Sequence, residues 1–171
     1  MKRTKYNIYG TLQGIFHPSK LNYLGERKYQ GKQNPIYRSS YEKQCFHLLE
    51  NNANIIWWKS EATVIPYISP IDNKPHRYYI DLTFCARDKN TGENKIYLIE
   101  VKPEEQTVKP VKKPRQRTKT FITQAKTYAV NIAKWNAAYK YAQQRGYKFY
   151  LWTEIQTKPY IPEVIGKIKS A

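Results

Sequence analysis

Residues 76–102 read HRYYIDLTFCARDKNTGENKIYLIEVK, two apolar and aromatic runs joined by a polar link. The runs, residues 76–86 and 95–102, are rich in β-branched and aromatic side chains and predict two neighbouring strands. The link Asp88-Lys89-Asn90-Thr91-Gly92-Glu93-Asn94 predicts a hairpin connection, with Gly92 free to take a left-handed conformation. Side chains alternate across a strand. In Ile99-Glu100-Val101-Lys102, Glu100 and Lys102 therefore share one face while Ile99 and Val101 take the other. Asp81 interrupts the earlier run, Tyr78-Tyr79-Ile80-Asp81-Leu82-Thr83-Phe84, and hairpin pairing brings it across from Glu100.

Charged groups at the end of an apolar strand cost desolvation energy unless they pair, bind an ion or line a wet cleft. Two adjacent carboxylates repel unless a proton or a cation joins them. A hard divalent cation resolves that repulsion, and carboxylate and water oxygens suit Mg2+ and Mn2+ alike. Such a cation would polarise a phosphodiester and activate a water. Lys102 would orient that water or stabilise charge developing on phosphorus. The expectation is metal-dependent phosphodiester hydrolysis with Asp81, Glu100 and Lys102 at its centre.

Upstream, Ser39 or Ser40 can cap a helix whose apolar positions Tyr41, Cys45, Leu48 and Leu49 fall at helical spacing, with Asn51, Asn52 and Asn54 to stop it. Residues 55–59 and 63–68 predict strands, and residues 69–75, with Pro70 and Pro75, a turn. Downstream, residues 103–119 predict a Pro-broken basic loop. Residues 120–144 predict a long helix with Ala125, Ala129, Ile132, Trp135, Tyr139 and Ala142 on one stripe. Gly146 suits its end, and residues 147–153 predict a further strand. The tail to Ala171 holds a short helix or nothing regular. The order helix, successive strands, long helix, strand defines a mixed α/β domain with helices against a central sheet. Residues 1–37, polar and basic with Pro18 and Pro35 as breakers, read as an arm with little regular structure, and residues 38–171 as the domain proper.

The charge balance bears on partners. Thirty Lys and Arg stand against 13 Asp and Glu, a net charge of +17, which attracts polyanions, most commonly nucleic acid. An AT-rich genome can supply lysines, but it does not remove acids. Residues 109–119 hold six cations, Lys109, Lys112, Lys113, Arg115, Arg117 and Lys119, kept extended by Pro110 and Pro114. They can follow a phosphate backbone, and a solvated, disordered loop in the free protein is compatible with that. Arg38, and Lys2, Arg3 and Lys5 in the arm, are lesser candidates. Neither a recognition helix nor a zinc-finger pattern is present, so binding is expected to be phosphate-dominated and salt-sensitive. Cys45 and Cys85 lack CxxC spacing and read as reduced thiols, with no disulfide expected. His17, His47 and His76 show no zinc spacing. No apolar run reaches membrane-helix length, and MKRTKYNIYG lacks the apolar region of a secretory signal.

Asp81 followed by Glu100-Val101-Lys102 resembles the D…(D/E)xK signature of restriction-endonuclease-like nucleases. A fuller series occurs in order: Tyr37-Arg38-Ser39-Ser40-Tyr41-Glu42, Trp58-Lys59-Ser60-Glu61, Val64-Ile65-Pro66-Tyr67, Arg77-Tyr78-Tyr79-Ile80-Asp81, Ile99-Glu100-Val101-Lys102-Pro103, Val130-Asn131 and Lys134-Trp135. From about residue 35 to 155 it resembles the head-completion nucleases of T-even-type phages, and more distantly the endonuclease subunit of Tn7-type transposases. The resemblance implies a restriction-endonuclease-like core of order αβββαβ, a central mixed sheet flanked by helices. It implies Mg2+ held by Asp81, Glu100 and the Val101 carbonyl, with Glu42 completing the site or positioning a water. Glu61 reads equally as a supporting acid or as plain surface, and Gln124 as lying over the site or as a solvated helix position. The implied partners are double-stranded or branched DNA and phage head or portal proteins, in the host cytoplasm or the virion. Two alternatives remain open at this level: a virion structural DNA-binding protein with a vestigial nuclease fold, and a transposase-type or junction-resolving nuclease.

Overall fold

The computed structural model describes residues 5–6 and 12–153. The chain opens with three short strands, β1 (Lys5–Tyr6), β2 (Leu12–Ile15) and β3 (Ile36–Tyr37), in a small antiparallel sheet. Ser39 then takes extended backbone angles and its hydroxyl accepts the Glu42 N–H, starting α1 (Ser40–Asn51). A cap of this kind meets one of the donors that a helix start leaves without a partner. Cys45, Phe46, Leu49 and Glu50 form the buried face of α1, and the helix ends where the Asn52 N–H reaches back to Leu48 O.

Six strands and a second helix follow: β4 (Ile55–Ser60), β5 (Val64–Ile68), β6 (Pro75–Tyr79), β7 (Leu82–Arg87), β8 (Asn94–Val101), α2 (Thr118–Gln144) and β9 (Lys148–Trp152). The central sheet has the order β4-β7-β8-β9. Its first two pairs are antiparallel and the last is parallel, with α2 as the crossover that parallel pairing requires. β5 and β6 form a separate two-stranded ribbon between β4 and β7. The sheet is packed on both faces. Phe46 and Leu49 of α1 meet Trp58, Leu82, Phe84, Ile99 and Trp152 on one side, with Phe16 and Tyr37. Trp135, Ala138 and Ala142 of α2 meet Leu98, Phe149, Leu151 and the ribbon's Ile65 and Tyr78 on the other. This is the expected central mixed sheet flanked by helices, with core order αβββαβ.

Three expectations need correction. Residues 76–86 do not form one strand: the chain leaves the ribbon after Tyr79 and joins the central sheet at Leu82. Between them the Ile80 N–H donates to Thr63 O, and Asp81 O accepts the Glu61 N–H, so the segment changes partners there. An unbroken apolar run cannot reveal such a switch, because both partners demand the same residue types. The buried stripe of α2 is Asn131, Trp135, Ala138 and Ala142, whereas Ala129 is exposed. The helix has 27 residues, roughly 40 Å at 1.5 Å per residue, and outruns the five residues of β9. Gly146, at φ 67°, ends it, with the Tyr147 N–H reaching Ala142 O.

The third correction concerns the supposed arm. Residues 12–37 carry strands and bury Phe16, Asn22, Lys28 and Tyr37. They are held by polar groups that hydrophobic periodicity does not register. Glu50 Oε2 accepts the Ser19 and Lys20 N–H groups, each at 2.9 Å, and its Oε1 accepts Trp58 Nε1–H at 2.7 Å. Lys28 Nζ donates to Glu50 O at 3.0 Å and Asn52 O at 2.8 Å, placing a cation on the carbonyl end of α1. Lys2, Arg3 and the expected tail structure lie outside the described residues, and only the backbone of Lys5 is described. Cys45 and Cys85 are buried free thiols. Among the described residues no helix is long and apolar enough to cross a membrane. Glu50→Ala strands three donors and leaves Lys28 without its counter-charge. It is expected to lower stability by about 3–5 kcal/mol, read as a fall in the urea midpoint at unchanged slope.

Candidate active site where the ribbon meets the sheet

Asp81 stands one residue before β7, and its Oδ2 accepts the Val101 N–H at 2.8 Å. The β7–β8 register, Leu82 opposite Ile99, puts Asp81 beside Glu100, as the hairpin predicts. Glu100 is 3% exposed on the α2 side of the sheet. Its Oε2 accepts the Tyr78 hydroxyl at 2.7 Å and its Oε1 pairs with Lys102 Nζ at 2.7 Å. Lys102 Nζ also donates to Val101 O at 3.4 Å. Strand alternation is thus borne out: Glu100 and Lys102 meet on one face, while Ile99 and Val101 join the core on the other.

Burial raises the Asp81 carboxyl well above the usual aspartate range, and the Glu100 charge adds to the effect against the pull of Lys102 and the Val101 N–H. Burial and Glu100 likewise push the Tyr78 hydroxyl well up, so it stays a donor. For Lys102 burial works downward, and Glu100 and Asp81 outweigh it, leaving the ammonium raised. Two carboxylates and a carbonyl oxygen converge here, the oxygen-rich donor chemistry a hard cation takes. The Lys102 ammonium already spans Glu100 and Val101 O, so the donor set accepts positive charge. Among the described residues no three His, Cys, Asp or Glu side chains group closely enough to hold a metal by themselves. The Val101 carbonyl and water would have to complete the shell around Asp81 and Glu100.

On the α1 side, Asp81 borders a small half-open pocket lined by Arg38, Glu42, Phe46, Ser60, Glu61 and Leu82. Glu42 Oε2 accepts the Arg38 N–H at 2.7 Å, and burial raises its carboxyl despite that bond and the Arg38 charge. Arg38 grips Glu61 with both terminal nitrogens, at 2.6 and 3.3 Å. Glu61 takes a left-handed φ of 50°, an uncommon conformation for a non-glycine residue, right at the pocket wall. Glu42, Glu61 and Arg38 are therefore brought to Asp81. Gln124 is not: it lies exposed on α2, its Oε1 accepting Gln116 Nε2–H at 2.8 Å from the basic loop. Lys109, Lys112, Lys113, Arg115, Arg117 and Lys119 are all exposed, with Lys119 and Thr118 already in the first turn of α2. Tyr78 escaped the sequence reading, since an aromatic residue in a strand carries no signal that its hydroxyl serves a carboxylate.

A mixed four-stranded sheet between two helices, with Asp81, Glu100 and Lys102 converging at the end of its central hairpin, defines a restriction-endonuclease-like protein. The family described as TnsA-like endonuclease N terminal matches residues 52–154. The head completion nuclease of Enterobacteria phage T4 is 40% identical over 131 residues, 74% of this chain and 84% of that protein. The chain belongs to the TnsA-like endonuclease family of nucleases, in agreement with both resemblances drawn from its motifs.

Because folded Asp81 keeps its proton to higher pH than the unfolded chain does, stability falls as pH rises from the ordinary aspartate range through the raised value. Asp81→Asn keeps an acceptor for Val101 and removes the charge. It is expected to raise the thermal midpoint at neutral pH, about 2–4 °C for each kcal/mol gained, with the gain vanishing in acid. A midpoint difference that is independent of pH would contradict this origin.

Proposed function

We propose that this chain is a metal-dependent endodeoxyribonuclease that hydrolyses phosphodiester bonds in double-stranded or branched DNA, and that it processes phage DNA ends during head completion. The observation that carries the reading is the convergence of Asp81, Glu100 and Lys102, with Asp81 fixed on Val101 and Glu100 on Tyr78. Asp81, Glu100 and the Val101 carbonyl would hold Mg2+, or Mn2+. When bound, the cation would polarise the scissile phosphate and lower the pKa of an attacking water. Once Glu100 and Val101 O are so engaged, Lys102 is released to donate to a phosphate oxygen or to orient the water. Glu42, with its proton affinity raised, sits where it can position that water or take its proton.

Exposed cations supply the binding. The loop carrying Lys109, Lys112, Lys113, Arg115, Arg117 and Lys119 follows directly from the Lys102 end of β8, beside the scissile phosphate. Arg38, held at the pocket lip by Glu61, can move to a phosphate at modest cost, since an exposed ion pair contributes little. The role in head completion is supported by the 40% identity to the phage T4 head completion nuclease. That role would bring the chain to head or portal proteins, in the host cytoplasm or the virion.

The decisive assay incubates supercoiled and linear DNA with the protein in Mg2+, Mn2+ or EDTA. Cutting is expected with either metal and not in EDTA. Asp81→Ala and Lys102→Ala should each cost at least about 100-fold in rate while DNA binding persists. A wild type that binds but never cuts would favour a structural DNA-binding role instead. Replacing Lys112, Lys113, Arg115 and Arg117 by Ala should reduce the slope of log affinity against log salt by about 3.6, at roughly 0.9 per phosphate contact.

A further inference from the structure

The N-terminal segment carries two cations that the proposed reaction does not use. Residues 28–30 run along the free edge of β4, where the Trp58 N–H donates to Lys28 O at 2.8 Å and the Gln30 N–H to Trp58 O at 3.0 Å. Tyr29 and Trp58 are paired in parallel. Arg27 and Tyr29, two apart in this extended segment, leave the same face. With Pro18, Lys20 and Asn34 they line a small open pocket.

Its walls are fixed. The Tyr29 ring lies on Trp58, centroids 4.5 Å apart, and its hydroxyl donates to Gln33 O at 2.8 Å. A Cβ at Gly31 would collide with that ring and hydroxyl, so only glycine lets the loop close over them. Asn34 Nδ2 and His17 Nδ1 share a hydrogen bond of 3.1 Å across the rim. The charges are uncompensated. Beneath the floor Glu50 faces the buried Lys28 ammonium, and Glu26 is turned to Asn22 Nδ2 at 3.3 Å. Among the described residues no ion pair engages Lys20 or Arg27.

We propose that this pocket is a second nucleic-acid site, in which Lys20 and Arg27 hold a backbone phosphate and the Tyr29 and Pro18 walls pack against the neighbouring sugar or base. Paired lysine and arginine beside a fixed aromatic ring is a chemistry that suits a phosphodiester chain. The position suits it too. Trp58, beside Tyr29, precedes Glu61 of the active-site pocket by three residues, roughly 10 Å at strand spacing. That distance spans about three phosphates of one DNA strand at 3.4 Å each. The pocket would set the register of the strand entering the site.

The inference rests on the DNA reading, and the test separates the two. Fluorescence anisotropy of a labelled duplex is measured in EDTA between about 50 and 200 mM salt. Wild type is compared with Lys20→Ala/Arg27→Ala, with Lys20→Gln/Arg27→Gln, and with a charge-matched control, Lys89→Ala/Lys148→Ala. The control residues lie at the opposite end of the sheet, in the β7–β8 link and beside Tyr97. Thermal midpoints establish that the variants are folded. Both pocket variants should bind more weakly, with a salt slope smaller by about 1.8 relative to wild type and by more than in the control. Equal affinity and slope for wild type and pocket variants would overturn this inference alone. A wild type that binds no duplex overturns the DNA reading and the pocket together. Calorimetric binding of inorganic phosphate that is lost in the variants while duplex binding is unchanged would mark a free-anion site and overturn the proposal.

Discussion

The hydrogen bond from the Val101 N–H to Asp81 is the contact through which the sheet's register becomes a site. Asp81 has no ladder position of its own; it stands one step past the Leu82–Ile99 pair, where β7 has not yet begun and β8 is ending. Given that register, Glu100 lies beside it, Lys102 emerges two residues on along the same face, and the Val101 carbonyl is left near the ammonium. A slip of one residue in β7 against β8 would carry Asp81 off this neighbour and turn one strand's core side chains outward. Leu82, Phe84, Leu98 and Ile99, all fully buried, forbid it. The apolar core therefore enforces the geometry of a polar cluster that, by itself, would fly apart.

The same constraint accounts for the inserted ribbon. A carboxylate as buried as Glu100 needs more than one donor, and β7 cannot supply it because its side chains are committed to the two cores. The β5–β6 ribbon brings Tyr78 from outside the central sheet to Glu100, and its inward residues Ile65, Tyr67 and Tyr78 pack with the Trp135 cluster of α2. Thr63 and Thr83 close the junction with a 2.7 Å hydrogen bond between hydroxyls. Asp81 thus sits at a seam. Glu100, Tyr78 and Lys102 lie on its α2 side, and Glu42, Arg38 and Glu61 on its α1 side. The charges repel across that seam, which lifts the proton affinity of Asp81 and Glu42 together. Function is set against stability there, as is common where like charges are gathered for chemistry.

What the sequence made legible follows from period and punctuation. Ile99-Glu100-Val101-Lys102 announced its two faces because alternation is a local rule, and Ser39, Asn52 and Gly146 announced helix ends because caps are local too. The break at Ile80–Asp81 was hidden, since Tyr79 and Leu82 are equally good strand residues for different partners. The buried stripe of α2 was misplaced because Asn131 is polar and Ala129 apolar, while burial was decided by how far the sheet extends under the helix. The first thirty-seven residues misled most. Their order depends on Glu50, Lys28 and Asn22, whose burial is long-range and leaves no pattern in the segment itself. Glu42 and Glu61 were visible as acids near a motif, but only the fold shows Arg38 tying both to the pocket beside Asp81.

The N-terminal segment also answers a problem the rest of the chain creates. β4 is an outer strand of the central sheet, and without residues 28–30 the backbone of Trp58 would face solvent as an open edge. The family match begins at residue 52, after both this segment and α1, so the cover is added to the region that match describes. A cover built from an apolar strand would have invited further pairing. One built on Lys28, with Glu50 and Trp58 behind it, terminates the sheet and is anchored to the end of α1 in the same stroke. Its outer surface is then free to carry charge, and it carries Lys20 and Arg27. The basic loop leaves from the end of β8 and this cover lies beyond β4, so the cations flank the hairpin that bears the carboxylates. A polyanion drawn by the net charge of +17 is guided to the acids rather than turned away by them, because the acids are recessed and the cations exposed.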